Sequence, residues 1–250
     1  MKAIKKIKLF LQGFIMFNIL WYIIALIVNI RALPKPTDIY FNIGRLYGEN
    51  LHIHVLVSLY RVSSGLIISL ILGLFIGLIM AYSKKWNKLL NPLVYFTYPI
   101  PKTALLPVVM LVFGLGDTSK IILIVLILVF QIIVAVRDSV LNINQQTYNV
   151  VTSLGASKFQ VFINITIPSI LPALLTNLRL SIGTALSILF FTEGYGTQYG
   201  IGYYILDAWN RIDYISMYAG IVLISITGFI LFIIIDIFEE NLCKGWIHIT

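Results

Sequence analysis

Charged side chains are scarce in this sequence, and their scarcity limits what the protein can be. Only 11% of the 250 residues are Asp, Glu, Lys or Arg, whereas soluble domains carry about 25%. Hydrophobic residues make up 59%, and several apolar runs of about 20 residues are long enough to cross a bilayer as helices. The composition predicts a polytopic α-helical membrane protein. The net charge of +8 does not indicate nucleic-acid binding, because the cations cluster beside the apolar runs.

Cysteine and histidine are almost absent. The single cysteine, Cys243, excludes a disulfide within the chain and a metal site built from several cysteines. His52 and His54 could bind a metal ion as a pair, although polar residues in an exposed loop are the stronger interpretation. The sequence contains no Gly-x-x-x-x-Gly-Lys-Ser/Thr motif for ATP, and no His-Glu-x-x-His or Gly-x-Ser-x-Gly motif. We therefore expect no metal, no cofactor and no enzymatic activity in this chain.

Six membrane spans are predicted from hydropathy. The first lacks the small-residue cleavage site of a signal peptide, so we expect it to remain as a helix. The second contains glycines at positions 65, 73 and 77, a composition typical of close helix packing. The third is interrupted by prolines. The predicted spans are residues 9–30, 62–82, 89–113, 121–136, 178–195 and 214–235.

Cations in the loops predict the orientation, because Lys and Arg are enriched on the cytoplasmic side of membrane proteins. With the N-terminus inside, the cytoplasmic segments carry eleven Lys and Arg residues and the outer segments carry six. We therefore predict that both termini and the loop of residues 137–179 face the cytoplasm. In the outer segment, prolines disfavour a helix through Pro36. Residues 52–60 are expected to form an amphipathic helix lying on the membrane.

The loop before the fifth span is unusually polar for this chain. Within residues 149–172, apolar side chains recur at roughly helical spacing around Gly155, and Pro168 and Pro172 end the pattern. A glycine between two short helical stretches permits a chain reversal. The pattern predicts two short amphipathic helices that present a face to a partner protein. The alternative is a helix pair that rests on lipid.

The same loop has motifs of a known family. Gly155-Ala156-Ser157, Phe162 and Ile167-Pro168 stand where the EAA loop of binding-protein-dependent ABC importers has its characteristic residues, and the loop resembles that element. Asn149-Val150-Val151 occupies the place of the family's Glu-Ala-Ala triplet. The resemblance implies that the loop couples to an ATPase. The implied coupling residues are Asn149, Val151, Leu154, Gly155, Ala156, Ser157, Phe159, Phe162 and Pro168.

Two further segments resemble the nitrate, sulfonate and taurine branch of these importers. The first is Tyr98-Pro99-Ile100-Pro101-Lys102, followed by Phe113-Gly114-Leu115-Gly116, and the second is Glu193 with Gly200-Ile201-Gly202. A cation within an apolar span is costly unless it meets water, a partner or a cavity. Freed backbone groups beside the prolines are likewise tolerated only in such places. We therefore assign Pro99, Pro101, Lys102 and Glu193 to a translocation pathway.

Both charged side chains also have simpler interpretations. Lys102 could extend to a membrane interface from a shallow position. Glu193 could pair with a cation of another helix, or it could lie at the membrane edge.

The resemblance implies an all-α type I ABC importer permease with six membrane helices, in which residues 1–250 form one transmembrane domain. It implies a homodimer in a bacterial or archaeal inner membrane. The expected partners are two copies of a cytoplasmic ABC ATPase, which would bind ATP and Mg²⁺, an extracytoplasmic solute-binding protein and the lipid bilayer, but no nucleic acid.

The branch favours a small anion such as a sulfonate, taurine or nitrate as the transported solute. A neutral vitamin or pyrimidine precursor remains an alternative. An autonomous secondary transporter or a membrane scaffold is the alternative from a different class.

Overall fold

The computed structural model describes residues 2–48, 50–97 and 99–243, and this part of the chain is helical without a β-strand. Tyr98 of the proline motif and Lys244 of the cation pattern lie outside the described residues. Three of the segments are short: a 3₁₀ turn, a π turn and the four-residue α8. The helices are α1 Lys2–Val28, α2 Pro36–Tyr47, α3 Leu51–Tyr82, α4 Lys84–Thr97, the 3₁₀ turn Lys102–Leu105, α5 Leu106–Phe113, α6 Asp117–Leu141, α7 Gln145–Ser153, α8 Lys158–Val161, the π turn Phe162–Thr166, α9 Ile167–Glu193, α10 Ile201–Asn210 and α11 Tyr214–Cys243.

Among the described residues, five helices are long and apolar enough to cross a membrane, which confirms the prediction of an all-α polytopic protein. A sixth crossing is formed if α4 and the segment 102–113 count as one span. That pair is bent by 86°, so the third predicted span is not one continuous helix. Prolines lack a backbone N–H and restrict the preceding residue, which explains a break at Pro99 and Pro101. The five crossings are Lys8–Val28, Leu51–Tyr82, Asp117–Leu141, Lys158–Glu193 and Tyr214–Cys243.

The prediction of a surface helix at residues 52–60 is wrong. These residues form the first turns of α3, which continues without a break to Tyr82. His54 and Ser58 are buried there, where both hydrogen bond to the chain around Gly200. Hydrogen bonds to residues far along the chain therefore allow this polar stretch to be buried. The helix boundary expected at Pro36 is confirmed, because α2 begins at that residue.

The loop before the fifth span is shorter than residues 137–179. Arg137 lies inside α6, and the chain is helical from Lys158 to Glu193. Pro168 and Pro172 therefore do not end the helix. A proline is tolerated in the first turn, where its missing N–H has no intrahelical partner, and Pro168 occupies that position in α9. The π turn just before it accommodates a local change of the hydrogen-bond pattern.

The core is formed where α3, α6 and α9 pack together. Three glycines of α3 bring its backbone close to α6, because an added Cβ would lie 2.5 to 2.8 Å from an α6 side chain. This confirms the predicted close packing. The contacts are Gly65 with Ile124, Gly73 with Ile132 and Gly77 with Val136.

Helix α1 lies at the periphery, and only 6% of the residues in its most apolar stretch are buried. Its Trp21 ring packs on Tyr218 of α11, with 5.3 Å between ring centroids. The hydroxyl of Tyr40 on α2 donates a 2.7 Å hydrogen bond to Asn18. Most of the other apolar side chains of α1 are exposed, as expected for a helix that faces lipid.

Candidate coupling loop and translocation pathway

The two ends of the helix bundle carry different features. We call the end with α7 and α8 the loop end, and the opposite end, with the turn of residues 194–200 between α9 and α10, the corner end. The predicted coupling residues lie at the loop end. Glu193 lies at the corner end, beside that turn.

Both short helices of the loop begin with a side-chain cap. The Asn144 side chain accepts a 2.9 Å hydrogen bond from the backbone N–H of Gln146 at the start of α7. At α8, Ser157 and Gln160 form a reciprocal capping box. Caps satisfy backbone donors that a helix start leaves unpaired. The loop is therefore a pair of defined helices, as the sequence pattern predicts.

Gly155 makes the reversal between α7 and α8 possible. Its φ is +83°, a left-handed conformation that disfavours residues with a Cβ. No heavy atom lies within 4 Å of the position that a Cβ would occupy. The glycine is thus required by the backbone conformation and not by a close neighbour.

The apolar side chains of the loop divide into two groups. Val151 and Phe162 are half-buried. The exposed group forms a surface that we call the docking face. Its members, with their exposed fractions, are Val150 (60%), Leu154 (81%), Phe159 (72%) and Ile163 (45%).

A buried threonine connects this loop to the membrane helices. The Thr166 hydroxyl lies 2.6 Å from the Tyr82 hydroxyl at the end of α3 and 3.1 Å from the Tyr148 hydroxyl of α7. The ring of Phe162 packs on Tyr82, with 6.3 Å between centroids. Through these contacts α7 is linked to the end of α3 and to the start of α9. The sequence alone did not single out Tyr82, Tyr148 or Thr166, because their spacing of 18 to 84 residues has no local signature.

The remaining predicted coupling residues occupy different places on the loop. Asn149 is exposed on α7 and accepts a 3.4 Å hydrogen bond from Gln145. Ala156 is half-buried in the turn before α8, where Ser157 supplies the cap. Pro168 is half-buried in the first turn of α9.

Lys102 lies level with the middle of the bundle. Its ammonium group is 5.7 Å from the ring centroid of Phe130, a residue near the midpoint of α6. Cations at this distance from an aromatic face are attracted by the ring. Pro99 and Pro101 are exposed beside the break. The ammonium is therefore held at depth against α6.

Glu193 is fully buried at the corner end, where it pairs with a cation of another helix. Its carboxylate accepts hydrogen bonds from Arg61 at 2.7 Å, from the Ser58 hydroxyl at 2.8 Å and from the Gly202 backbone N–H at 2.9 Å. A Cβ at Gly200 would lie 2.3 Å from the Glu193 carboxyl carbon. The glycine next to α10 thus leaves the space that the carboxylate fills.

Arg61 and Lys120 extend this set of contacts. Arg61 also binds Asp117 at 2.6 Å and donates a 2.8 Å hydrogen bond to the carbonyl of Tyr199. The Lys120 side chain is fully buried, and its ammonium donates to the carbonyl of Leu115. The predicted spans begin directly after these two cations, so the charge pattern wrongly assigned both to outer loops.

One face of α9 exposes polar and small residues that the sequence motifs did not single out. The exposed residues Thr176, Gly183 and Ser187 recur at helical spacing on this face, with Leu180, which is 69% exposed, between Thr176 and Gly183. Near the loop end, this face borders a cavity of about 480 Å³ between α6 and α9. The Asn177 side-chain oxygen there is buried without a hydrogen-bond partner. We call Thr176, Asn177, Gly183 and Ser187 the polar face of α9.

Comparison with known families identifies this arrangement. Residues 69–243 match the family described as the binding-protein-dependent transport system inner membrane component. The chain belongs to this family. The matched region contains α6, the capped loop, the polar face of α9 and Glu193. The chain is a multi-pass inner-membrane permease subunit of an ABC importer, as the sequence motifs predict.

The relatives of this chain are permeases named for different substrates. The chain is 30% identical to the formylaminopyrimidine transport permease protein ThiX of Halalkalibacterium halodurans, over 93% of each chain. It is 29% identical to the taurine transport system permease protein TauC of Escherichia coli, over 84% of this chain and 80% of the relative. It is 28% identical to the nitrate import permease protein NrtB of Synechococcus elongatus, over 78% and 74%.

A solved structure supports the fold. The chain superposes on a structure titled as an inward-facing conformation of the MetNI methionine ABC transporter with a TM-score of 0.60. The match covers 77% of this chain and 94% of the other, at 17% sequence identity. The type I importer permease fold is thereby confirmed. Permease subunits of this family lack an ATPase site of their own, and the family implies an ATPase and a solute-binding protein as partners.

Proposed function

We propose that two copies of this permease form the pathway of an ATP-driven importer, with a cytoplasmic ABC ATPase bound at the loop end of each. One observation carries the proposal: an apolar docking face is exposed on two capped helices that are hydrogen bonded to the end of α3 and the start of α9. Exposed apolar clusters of this kind mark interaction surfaces. In this proposal the partner ATPases bind ATP and Mg²⁺, and both termini and the loop end lie in the cytoplasm, an orientation that the lysine-rich segments support.

Co-purification tests the docking face. The change Leu154→Asp together with Phe159→Asp introduces charge at two exposed positions. The chain should insert normally, but the amount of co-expressed ATPase that co-purifies with it should fall at least tenfold. Gln146→Asp, also exposed on α7 but outside the docking face, is the matched control and should retain it. Full retention of the ATPase by the double variant would contradict docking at this face.

The pathway proposed here combines the broken segment with the polar face of α9. Lys102, Pro99 and Pro101 supply a cation and exposed backbone at the depth of mid-α6, and the polar face of α9 supplies hydroxyl and amide groups. Polar groups within a bilayer are favourable only where they meet protein or water. Glu193 belongs to the same helix, but its contacts are internal. We propose that it supports the wall of the pathway and does not touch the solute.

A small anion is the proposed solute. The nitrate permease among the relatives supports this class, and the taurine permease supports a solute with a sulfonate group, although taurine also carries an ammonium group. Lys102 supplies a positive charge that is poorly screened at depth. A neutral heterocycle is the second candidate, favoured by the formylaminopyrimidine permease, which matches 93% of the chain, and by the lack of charge on the polar face of α9. The family assignment decides against an autonomous secondary transporter or a scaffold.

Uptake measurements distinguish the two candidates. The permease is reconstituted in proteoliposomes with its ATPase and binding protein, and ATP-dependent uptake of labelled taurine, nitrate and formylaminopyrimidine is compared. Uptake of an anion that the unlabelled heterocycle does not reduce supports the first candidate. Uptake of formylaminopyrimidine alone supports the second.

A further inference from the structure

Two adjoining cavities lie beside α1, and neither is lined by a residue of the docking face or of the polar face of α9. The first, which we call the apolar groove, lies between α1 and α11 and has a volume of about 620 Å³. The second, which we call the polar cavity, has a volume of about 590 Å³ and lies at the corner end, between the end of α1 and the starts of α2 and α11. Leu33 lines both cavities, so the two meet at this residue.

The apolar groove has the length of a lipid acyl chain. Its lining on α1 extends from Phe10 to Ile24, a rise of about 21 Å in an α-helix. The hydrocarbon of one membrane leaflet is about 15 Å deep, half of a core of about 30 Å. Phe17 and Ile226 line the groove and are exposed, so the groove opens toward the surrounding bilayer. An acyl chain can therefore enter it sideways and lie along α1.

The polar cavity is lined by two cations and two carboxylates, which are Arg31, Lys35, Asp38 and Asp213. Within the described part of the chain, neither Arg31 nor Lys35 forms an ion pair with Asp or Glu. The Asp213 carboxylate accepts hydrogen bonds from the backbone N–H and the hydroxyl of Ser216 at the start of α11. Asp38 accepts a 3.4 Å hydrogen bond from the hydroxyl of its neighbour Thr37. Two cations and the Asp38 carboxylate therefore have bonding capacity left for a ligand.

The cations lie at the level where a bilayer has its phosphate groups. Arg31 directly follows the apolar run of residues 9–30, and Lys35 lies four residues further on. Arginine binds phosphate with two parallel hydrogen bonds, and lysine binds it as a point charge. A lipid whose acyl chain occupies the apolar groove would thus bring its phosphate to both cations.

Asp38 distinguishes between the possible headgroups. A carboxylate beside the phosphate site disfavours an anionic headgroup that carries no cation, such as phosphatidylglycerol. A quaternary ammonium is typically recognised by a cage of aromatic rings, and Tyr214 is the one aromatic residue among those that line the polar cavity. A primary ammonium carries three N–H donors and can hydrogen bond to a carboxylate. The set of charges therefore matches phosphatidylethanolamine.

We propose that the apolar groove and the polar cavity together bind one molecule of phosphatidylethanolamine. Its acyl chain lies between α1 and α11, its phosphate binds Arg31 and Lys35, and its ammonium binds Asp38. The site is separate from the proposed solute pathway, and its occupancy does not depend on which solute is transported. The bound lipid would fill the space that α1 leaves at the edge of the bundle.

Lipid titration followed by native mass spectrometry tests the headgroup. Full-length permease is stripped of lipid in detergent and titrated with phosphatidylethanolamine, phosphatidylglycerol or phosphatidylcholine of identical acyl chains. One molecule of phosphatidylethanolamine should bind per chain, at concentrations at least fivefold lower than either of the other lipids requires. Equal retention of all three lipids would overturn the headgroup assignment.

Variants of the polar cavity test the charged contacts, at equal amounts of monodisperse protein. Arg31→Gln with Lys35→Gln should weaken binding of phosphatidylethanolamine at least fivefold. Asp38→Asn should bring its binding to within twofold of that of phosphatidylglycerol. Arg211→Gln is the matched control, because Arg211 is an exposed cation at the same end that does not line the polar cavity. Wild-type lipid preference in both the double variant and Asp38→Asn would refute the site.

A matched pair of substitutions on α11 tests the apolar groove. Ile226→Trp enlarges a side chain that lines the groove and should weaken phosphatidylethanolamine binding at least fivefold. Ile230→Trp enlarges an exposed side chain one turn further along, outside the lining, and should leave binding unchanged. Light scattering after size-exclusion chromatography reports the oligomeric state of each protein. If a second copy of the permease fills the groove instead, no lipid will be retained and Ile226→Trp will dissociate the copies, which would overturn the proposal.

Discussion

Gly155 illustrates how a single residue shapes the docking face. Its left-handed backbone turns α7 into α8, and the space around it is open. The constraint on this position is therefore conformational. A substitution should act through the backbone and leave the packing of the bundle unchanged.

Two substitutions at Gly155 separate these effects. A β-branched residue in the left-handed region costs about 1 to 2 kcal/mol, so Gly155→Val should distort the reversal and weaken ATPase binding severalfold. Asn tolerates this conformation, so Gly155→Asn should retain most of the binding. Titration of purified permease with the ATPase measures both affinities. Equal loss in the two variants would instead indicate a direct contact at this position.

Lys102 is the residue on which the anion proposal depends most directly. Lys102→Met keeps the length of the side chain and removes its charge, so uptake of an anion should fall at least tenfold while assembly and basal ATP hydrolysis persist. Lys102→Arg should retain part of the activity, and Lys85→Met, an exposed lysine on α4, should be neutral. Normal anion uptake by a well-expressed Lys102→Met protein would refute the pathway role.

At the scale of elements, the contact between α3 and α6 organises the bundle. Glycines on α3 face Ile and Val side chains of α6 without space for an added Cβ. Overpacking at such a position typically costs about 1 to 3 kcal/mol.

A matched pair of glycines tests this packing. Gly73→Val should lower the thermal stability of the detergent-solubilised permease, because a Cβ there would lie 2.6 Å from Ile132. Gly13→Val on the peripheral α1 meets no atom within 4 Å and should leave the melting temperature nearly unchanged. The two transitions are compared by size-exclusion chromatography after heating. Equal melting temperatures would show that α6 yields to the added side chain.

Elements also show where local patterns were misleading. Pro168 and Pro172 suggest a helix end, yet α9 runs through both positions. Pro168 lies in the first turn of α9, where a backbone N–H has no partner within the helix. The π turn before it changes the local hydrogen-bond pattern. Residues 52–60 look like a surface helix because they contain His54 and Ser58. Their hydrogen bonds with residues near Gly200 bury them, and these partners lie more than 140 residues away.

At the scale of the whole molecule, orientation decides how every surface functions. The docking face serves a cytoplasmic ATPase only if the loop end lies inside the cell. In a Cys243→Ser background, Lys158→Cys should resist a membrane-impermeant thiol reagent in intact cells and react in inverted vesicles. Thr37→Cys, exposed on α2, should show the opposite pattern. Labelling of Lys158→Cys in intact cells would reverse the proposed orientation.

The sequence by itself determined the class of the protein, the approximate positions of its membrane helices and the amphipathic character of its loop. Apolar run length, turn residues and capping residues act over a few neighbouring positions, so their effects can be read directly from the sequence. Close packing along α3 was also predictable, because three glycines recur within one span, whereas its partner α6 is known only from the structure. The polar face of α9 could have been found by the same helical counting.

The tertiary structure alone decided which distant side chains meet. Glu193 pairs with Arg61 across 132 residues, and Thr166 joins Tyr82 to Tyr148. The sequence left Glu193 with two interpretations. A carboxylate near the end of a span can pair with a cation or face water, and the neighbouring residues do not distinguish the two. The choice depends on whether a cation lies close enough to offset burial. Only the packing of α3 against α6, α9 and α10 establishes that proximity.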